Sequence, residues 1–345
     1  MKFKLNKEII TTVIKQLADS EEPALRYKAR VNLLKENPES KSIRELQKEI
    51  KESWLIKTLL GSDQPGQDIR TFQRIYKKWT GPHWILANLA DLGYPSGDPD
   101  LKPIRDRVLD GWLDPFYMKT VHFEETPPYY KMKEGVPVIQ GRARRCASQQ
   151  GNALYSSLKL GFMDERCDQL AELLIGWQWP DGGWNCDKKA EADHSSFWES
   201  LLPLRGLALY SQITGDNKVR LAVERAAEVF LQRKLFKRLS DGKIMNKQFT
   251  QLRYPNYWRY NILIGLTVMS EAGFLEDPRC GEALDLLEAK QLPDGGWPAE
   301  DRFYQNTKPD ISGFSPVNWG GISKRKMNPW VTADALTVLR WAGRV

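Results

Sequence analysis

Apolar and polar residues follow helical spacing along this chain, and they define two kinds of helix. Segments such as "NILIGLTVM" (261–269) and "FWESLLPLRGLALY" (197–210) are apolar on more than one face, as expected of helices enclosed by others. Segments such as "CDQLAELLIGW" (167–177) and "VRLAVERAAEVF" (219–230) carry charge along one face, which is typical of an outer layer. No segment shows convincing alternation with a period of two, so the pattern predicts an all-α fold.

The two kinds of helix are joined into hairpins, and the hairpins repeat. Two of them end in nearly the same stretch, "QWPDGGWNCD" (178–187) and "QLPDGGWPAE" (291–300). In both, a first helix ends at Gly-Phe and a second helix begins after an aspartate, which are residues that helix ends and starts favour. Weaker copies occupy Pro23–Trp54, Trp84–Leu113 and Phe197–Lys234. Repetition at this length is the signature of a stacked helical array.

The number of hairpins and their apolar first helices predict how the array is arranged. About six first-type helices can be read from the sequence, and the helix near residues 7–19 supplies a sixth partner. Such an array can remain an open solenoid or close into a ring. Because the first-type helices are apolar on more than one face, we expect a closed α/α barrel that occupies residues 1–345 as a single domain.

Composition narrows the class of protein. The 345 residues are 41% hydrophobic and 28% charged, which suits a sizeable core. The N-terminus has no continuous apolar region of the kind that secretory signals carry, so we expect a cytoplasmic protein. The net charge is +7 without any nucleic-acid motif, so no nucleic-acid partner is predicted. Peripheral membrane contact and the oligomeric state stay open, and the four separated cysteines indicate reduced thiols.

The two Gln-x-Pro-Asp-Gly-Gly-Trp stretches resemble the repeat of squalene and hopene cyclases, which protein prenyltransferase β subunits share in a looser form. The resemblance extends over most of the chain and implies an α/α barrel whose inner end holds an isoprenoid-binding cavity. It also implies a hydrophobic small-molecule substrate, with isoprenoids as the expected class. The stretch itself suits an architectural role, because Pro-Asp-Gly-Gly makes a tight turn that a tryptophan can cover. A direct chemical role for Asp181 or Asp294 is the alternative.

The acidic motif of those cyclases is absent. They protonate an alkene with Asp-x-Asp-Asp, whereas "DPDL" (98–101) has two carboxylates and "AEADHSS" (190–196) has Glu191 and Asp193 without the motif. Protonation by the known motif is therefore not expected. The candidate catalytic acids are instead Glu199, Asp193 and Asp334. Glu199 and Asp334 lie within apolar first-type helices, where a charge is costly unless it is paired or used.

A zinc site is a second hypothesis. The segment "DGGWNCDKKAEADHSSFWESL" (181–201) resembles the zinc-binding segment of prenyltransferase β subunits. Alignment on Ser-Phe-Trp places His194 where that family has its cysteine ligand, and Ala192 where it has an aspartate. Cys186 lies eight residues earlier on the same loop, and Cys146 precedes another first-type helix. Cys146, Cys186 and His194 would form a Cys₂His set with an open fourth position, as catalytic zinc requires.

Aromatic and basic residues near the starts of first-type helices are candidates for substrate binding. Aromatic rings can shape an apolar pocket and stabilise a carbocation through their π faces. The aromatic candidates are Phe197, Trp198, Tyr257, Trp258, Tyr260 and Trp330. Arg142 and Arg145, in "GRARRC", would suit a diphosphate through bidentate contacts. Core packing for the rings and a solvated basic loop for the arginines are the ordinary alternatives.

Two long segments complete the sequence picture. Asp114–Gly141 and Asn306–Asn328 have the composition of loops, and loops of that length often act as lids. The function that we expect is an isoprenoid-handling enzyme, either cyclase-like or prenyltransferase-like. A non-catalytic lipid-binding barrel is one alternative. A carbohydrate-active α/α barrel that uses paired carboxylates such as Glu199 and Asp334 is the other. Fold does not decide among these functions.

Overall fold

The computed structural model describes residues 7–61, 75–128 and 134–345. The described α-helices, in chain order, are α1 (Lys7–Ala18), α2 (Pro23–Tyr27, continued by a π-helix at Lys28–Leu33), α3 (Lys41–Glu52), α4 (Trp54–Leu60), α5 (Pro82–Leu92), α6 (Lys102–Trp112), α7 (Pro115–Met118), α8 (Ala147–Lys159), α9 (Glu165–Gly176), α10 (Phe197–Thr214), α11 (Asn217–Leu231), α12 (Ile262–Glu271), α13 (Gly281–Glu288) and α14 (Pro329–Trp341). Short 3₁₀ helices occupy Pro99–Leu101, Lys247–Thr250 and Pro278–Cys280.

Six of the described helices close into an inner ring. In order around the ring they are α2 with its π-helix, α5, α8, α10, α12 and α14, and α14 returns to contact α2. The partner helices α3, α6, α9, α11 and α13 each pack behind the inner helix that precedes them, and α1 packs against α2 and α14. Inner helices such as α8 are buried almost throughout, whereas α11 buries a single face. The fold is therefore an α/α barrel, and the predicted role of the N-terminal helix is confirmed.

The two Gln-x-Pro-Asp-Gly-Gly-Trp turns form the same structure, which we call the clamp. In the first clamp the Gln178 amide donates to the Gly182 carbonyl at 2.7 Å, and the Trp184 indole donates to the Leu174 carbonyl at 2.8 Å. In the second clamp Gln291 donates to Gly295 at 2.9 Å, and Trp297 donates to Leu287 at 2.7 Å. Gly182 and Gly295 have φ of 103° and 87°, a region that strongly favours glycine. Each clamp thus ties the end of an outer helix to the turn that follows it.

The clamp aspartates serve structure as well. Asp181 accepts hydrogen bonds from the Ser195 amide at 2.7 Å and from the Ser195 hydroxyl at 2.6 Å. Asp294 accepts from the amides of Gly296 and Met327 at 3.0 and 3.4 Å. Both carboxylates therefore hold the chain that leads into the next inner helix, in keeping with the architectural interpretation of the repeat.

Inner helices α8 and α10 approach each other more closely than side chains would allow. A Cβ atom on Gly151 would lie 2.3 Å from the backbone nitrogen of Pro203, and one on Gly206 would lie 2.5 Å from the Gly151 carbonyl oxygen. The two backbones are therefore in direct contact. The contact fixes the register in which the first turns of α8 and α10 face each other, and this register positions one of the two polar sites described below.

One of the two predicted loops contains regular structure. Within and just after residues 114–141 lie α7 and a small sheet of strands β1 (Thr120–Phe123), β2 (Val136–Ile139) and β3 (Arg142–Ala143). β1 pairs with β2 in parallel and β2 pairs with β3 antiparallel. Every residue of β2 is buried, so the strand lacks the alternation that would reveal it in the sequence. Residues 129–133 of this segment lie outside the described residues.

The other predicted loop agrees with its composition. Residues 306–328 contain no helix or strand among the described elements, and they are held by side-chain contacts such as Asn306 to the carbonyls of Ser315 and Val317. Both segments precede inner helices, α8 and α14, and so lie at the N-terminal end of the ring. Whether either segment acts as a lid stays a prediction. None of the described helices is both long and apolar enough to cross a membrane.

Candidate functional site

A cavity of about 500 Å³ lies inside the ring of inner helices, and we call it the central cavity. Residues of all six inner helices line it, together with the turn before α12. The lining includes the aromatic side chains Tyr27, Tyr155, Tyr254, Tyr257 and Trp341. It also includes the charged side chains Lys28, Asp91, Lys159, Arg205, Glu271 and Asp334. Aromatic and charged side chains therefore share the lining, and Tyr257 is the one predicted aromatic residue among them.

Arg205, in the middle of α10, organises one side of the central cavity. Its guanidinium donates to both carboxylate oxygens of Glu271 at 2.6 and 2.7 Å and to Asp91 at 3.0 Å. It also lies 3.8 Å above the ring of Tyr155. Burial of Arg205 requires such partners, because an isolated buried charge is strongly unfavourable. The bidentate contact fixes α10 against α12, and the third contact reaches α5.

Asp334, in α14, lines the same cavity. Its carboxylate accepts a hydrogen bond from Lys28 at 2.7 Å, and its side chain keeps 21% of its surface accessible. Burial raises the pKa of Asp334, the nearby Asp91 charge adds to the rise, and Lys28 and Arg205 oppose it. Asp334 is therefore the predicted catalytic acid that lines the cavity, where burial raises the pKa of its carboxyl and the ion pair with Lys28 opposes that rise.

The predicted aromatic residues separate into two groups. Tyr257 lines the central cavity and stacks on Trp79 at a centroid distance of 3.8 Å. Trp330 lies one layer behind the cavity, stacked on the lining residue Tyr254 at 5.1 Å. Tyr257 and its neighbours could therefore present π faces to a bound molecule, whereas Trp330 supports the wall.

The other predicted aromatic residues lie outside the central cavity. Phe197 and Tyr260 pack with Phe230 and Phe249 in a buried cluster between α10, α11 and α12. The Tyr260 hydroxyl donates to the Leu235 carbonyl at 2.7 Å. Neither ring lines the central cavity, and a role for this pair in substrate binding stays a prediction.

Trp198 and Trp258 form a separate arrangement with a basic residue. The rings meet edge to face at 6.0 Å, and the Arg259 guanidinium lies 5.1 Å from the first and 4.1 Å from the second. Trp198 also lines a pocket of about 680 Å³ outside the ring, beside the start of α10. Neither ring lines the central cavity.

A second polar site lies at the N-terminal ends of α8 and α10, and we call it the thiol cluster. It comprises Cys146, Cys186 and Glu199, whose sulfur and oxygen atoms all lie within 4.8 Å of one another. The Cys186 thiol donates to Glu199 Oε1 at 3.5 Å. The other carboxylate oxygen accepts from the Ser148 hydroxyl at 2.8 Å and the Ser148 amide at 3.3 Å. In the described residues this is the one group of three such side chains with metal-binding spacing.

Electrostatics in the thiol cluster favour neutral groups. A hydrogen bond with Cys146 and burial both raise the pKa of the Cys186 thiol. Burial also raises the pKa of the Glu199 carboxyl, against the hydrogen bonds from Ser148. Arg145 is the nearby cation, and burial lowers the pKa of its guanidinium while the cluster groups oppose that change. Three acidic groups therefore share a buried space with one positive charge.

His194 is not a member of the thiol cluster. Its ring is 74% exposed, and Nδ1 lies 2.9 Å from the equally exposed carboxylate of Asp193. Asp181 holds the next residue, Ser195, inward, and neighbouring side chains of an extended segment point to opposite sides. The structure therefore does not bring His194 or Asp193 to Cys146 and Cys186. Glu199 occupies the position expected for the histidine.

The predicted arginines do not converge on one anion site. Arg142 donates to the Gln140 carbonyl at 3.4 Å and lies 5.8 Å from the Trp179 ring. Arg145 instead faces the thiol cluster, with its guanidinium 5.3 Å from the Tyr117 ring. The intervening Arg144 is buried and donates to the carbonyls of Asp187 and Ala192. Arg142 and Arg145 therefore face different parts of the protein, and the structure does not bring them together at one site.

Sequence reasoning missed most of the charged groups in the central cavity. Arg205 stands in "LLPLRGLALY" and Asp91 in "LANLADL", so both interrupt apolar inner helices. A charged residue within an apolar helix is the signal that identified Glu199 and Asp334. Applied to every inner helix, it would also have identified Arg205 and Asp91. Glu271 lies at the end of its helix and Lys28 near the start of its helix. Charged residues are common at such positions, so these two gave no signal in the sequence.

Comparison with known proteins does not identify the function of the central cavity or of the thiol cluster. No family model matches the sequence, and no curated protein matches it. A protein of known structure from Actinoplanes is 14% identical with a TM-score of 0.45, over 96% of this chain and 99% of that one. The apo type II terpene cyclase MstE from Scytonema is 14% identical with a TM-score of 0.43, over 98% of this chain and 99% of that one. At these values neither likeness carries a conclusion about activity.

Proposed function

We propose that this barrel is a terpenoid cyclase-like enzyme that binds an isoprenoid-class molecule in the central cavity. The observation that carries the proposal is the cavity of about 500 Å³ bounded by all six inner helices, a size within the range of small-molecule sites. The lining combines aromatic rings with three acids, Asp91, Glu271 and Asp334, and burial raises the pKa of Asp334. The resemblance of both clamps to the repeat of squalene and hopene cyclases supports the same class.

Asp334 is the group that this proposal makes the proton donor. A protonated Asp334 would add its proton to an alkene carbon, and the resulting carbocation would be attacked by the next double bond. Tyr155, Tyr254 and Tyr257 line the space where the cation would develop, and an aromatic ring stabilises a cation through its π face. The terminal cation would lose a proton to water or to the Asp91 carboxylate, and proton exchange with solvent would return Asp334 to its protonated form before the next turnover. An exposed carboxyl group could not serve, because it is ionised near neutral pH and because water would capture the carbocation.

The test combines binding and turnover. Purified protein is incubated with a panel of linear isoprenoids, as alcohols, diphosphates and hydrocarbons, and the extract is analysed by mass spectrometry for bound molecules and cyclic products. We expect a product with the wild-type protein and a loss of at least about 100-fold in Asp334→Asn, because general acids contribute about 10²–10⁴-fold. Asp193→Asn, which changes an exposed acid, is the matched control and should retain turnover.

Three outcomes separate the remaining possibilities. Equal turnover in Asp334→Asn and the wild type would remove Asp334 from the mechanism. Tight binding of an isoprenoid without any product would favour the non-catalytic lipid-binding barrel. Absence of both binding and product over the whole panel would overturn the proposal.

A polyhydroxylated ligand is the second candidate, and the polar part of the lining favours it. Asn88, Asn152, Thr267 and Thr337 add neutral hydrogen-bonding groups to the charged ones. Glu199 does not line the cavity, so the carboxylate pair would be Asp334 with Asp91 rather than with Glu199. Release of reducing ends from an oligosaccharide panel, lost in Asp334→Asn, would establish this function in place of the first.

A further inference from the structure

The thiol cluster assembles its donors from three different parts of the chain. Cys146 stands at the N-terminus of α8, Cys186 follows the first clamp, and Glu199 lies in the first turn of α10. Zinc–sulfur bonds of about 2.3 Å and zinc–oxygen bonds of about 2.0 Å at tetrahedral angles separate sulfur from oxygen by about 3.5 Å. The observed distance from Cys186 Sγ to Glu199 Oε1 is 3.5 Å. Cys186 Sγ and Glu199 Oε1 are therefore already spaced to bind one zinc ion without moving relative to each other.

The carboxylate is already oriented for coordination. Ser148 donates its hydroxyl and its amide to Glu199 Oε2, at 2.8 and 3.3 Å. Oε1 is thereby turned towards Cys186. Ligands of protein metal sites are commonly held in this way by a hydrogen bond to the atom that does not coordinate the ion. The contact is therefore an observation in favour of a site that is independent of the donor spacing.

Unpartnered polar atoms lie beside the cluster. Nε and Nη2 of Arg145 have no hydrogen-bond partner in the described part of the chain. Buried polar atoms in native proteins are nearly always satisfied, so such a group points to a missing ligand or water. The Arg145 guanidinium acts electrostatically on all three cluster residues, which places it beside the cluster.

The charges of such a site would balance. Two thiolates and one carboxylate carry three negative charges, and a divalent ion leaves one of them uncompensated. Arg145 supplies the remaining positive charge. Two sulfur donors and one oxygen donor are a set that zinc accepts and that magnesium and calcium do not favour.

We propose that Cys146, Cys186 and Glu199 bind a Zn²⁺ ion, with a fourth position open to water or another small ligand beside Arg145. On binding, the two thiols release their protons to solvent and each sulfur donates an electron pair to the ion. The site is separate from the central cavity, so it does not depend on the isoprenoid proposal. Three protein ligands with an open position are the arrangement of catalytic rather than structural zinc sites.

The experiment measures metal content and spectroscopy rather than activity. The protein is purified under reducing conditions without a metal-binding tag, dialysed, reloaded with zinc or cobalt, and analysed by plasma mass spectrometry and absorption spectroscopy. We expect about one zinc ion per chain and a cobalt spectrum with thiolate-to-metal charge-transfer bands. Cys146→Ala and Cys186→Ala should each halve the intensity of these bands and weaken zinc binding at least about 10-fold.

Two further variants make the result specific. Glu199→Gln keeps the shape of the side chain and should weaken zinc binding while both thiolate bands persist. Cys167→Ala removes a buried cysteine outside the cluster, and it should leave zinc content unchanged. Circular dichroism confirms that each variant is folded. The proposal fails if the reduced wild-type protein takes up no zinc, if Cys167→Ala loses it equally, or if Cys146 and Cys186 are joined in a disulfide under reducing conditions.

Discussion

The first and second clamps are the same turn at two places in the barrel, so their surroundings can be compared. In both, a tryptophan backbone amide donates to a hydroxyl on the following inner helix at 2.9 Å, Trp184 to Ser200 and Trp297 to Thr332. The hydroxyl returns a hydrogen bond to the same tryptophan carbonyl at 3.2 Å in each case. These contacts fix the same register between clamp and helix twice. Residues at matching positions of α10 and α14 can therefore be compared directly.

The matched positions carry different chemistry. Cys186 and Glu199, in and after the first clamp, correspond to Ala299 and Val331 in and after the second, and both of the latter are buried and apolar. About one turn further along the helices the polar residue lies on the other helix, because Leu202 on α10 corresponds to Asp334 on α14. Each clamped helix thus carries one buried acid, at a different height in the ring. The turn determines architecture, and the residues beside it determine which of the two sites its helix serves.

The largest effect on stability is expected from replacing the tryptophan that the two clamps share. Trp184→Ala and Trp297→Ala should each lower the free energy of unfolding by about 3–5 kcal/mol, the usual loss for a fully buried tryptophan. The two losses should agree, because both indoles are buried and donate to the same kind of carbonyl. Urea denaturation measures both, with Trp54→Ala, at a 70% exposed residue, as the control. A loss confined to one clamp would show that the two turns are not equivalent.

A smaller effect on stability is expected from a substitution at a position where α10 and α14 carry different residues. Arg205 on α10 corresponds to Thr337 on α14, and both line the central cavity. Arg205→Thr should lower the free energy of unfolding by about 3 kcal/mol, because Glu271 and Asp91 lose their shared cation. The partial accessibility of both carboxylates, 27% and 36%, keeps the loss at the lower end.

The control for this change is an exposed arginine pair. Arg220 and Glu224 form a surface ion pair one helical turn apart, and such pairs contribute about 0.3–0.5 kcal/mol. Arg220→Thr should therefore be nearly neutral in the same urea experiment. Equal losses for the two arginine variants would mean that the cavity network contributes no more than a surface contact.

The smallest effect is a change in pH dependence. Burial raises the pKa of Asp334 in the folded protein above the unfolded value of about 3.9. Between these two values the folded state binds more protons, so the free energy of unfolding falls as the pH rises. Asp334→Asn removes this decline, so its stability relative to the wild type should improve as the pH rises from about 4. Urea denaturation over that range is the measurement.

The matched residue on α10 again provides the control. Leu202→Asn introduces the same amide at the corresponding position, where there is no acid to titrate. It should shift stability by a similar amount at every pH. Parallel profiles for Asp334→Asn and the wild type would show that Asp334 titrates normally in the folded protein.

The repeated elements could be predicted from the sequence because their causes are local. The glycine turns, the aspartate caps and the apolar faces of the inner helices follow from neighbouring residues. Cys167 and Cys280 are a further example, since both are fully buried and each thiol donates to a backbone carbonyl at 3.6 Å. These positions recur at the same place in two hairpins, which makes their role visible in the sequence.

The sites could be predicted only in part, because they depend on contacts between distant residues. Cys146 and Cys186 were paired correctly from their positions before and within the first clamp segment. His194 was paired wrongly, since its direction depends on the bond from Ser195 to Asp181, 14 residues earlier. Arg205 and Glu271 lie 66 residues apart and meet only because α10 and α12 are neighbours in the ring.

The backbone contact between Gly151 and Gly206 lies between the two sites. Ser148 holds Glu199 above this contact, and Tyr155 lies against Arg205 below it. Because no side chain separates the helices there, a side chain larger than hydrogen at Gly151 or Gly206 would force α8 and α10 apart between the two sites.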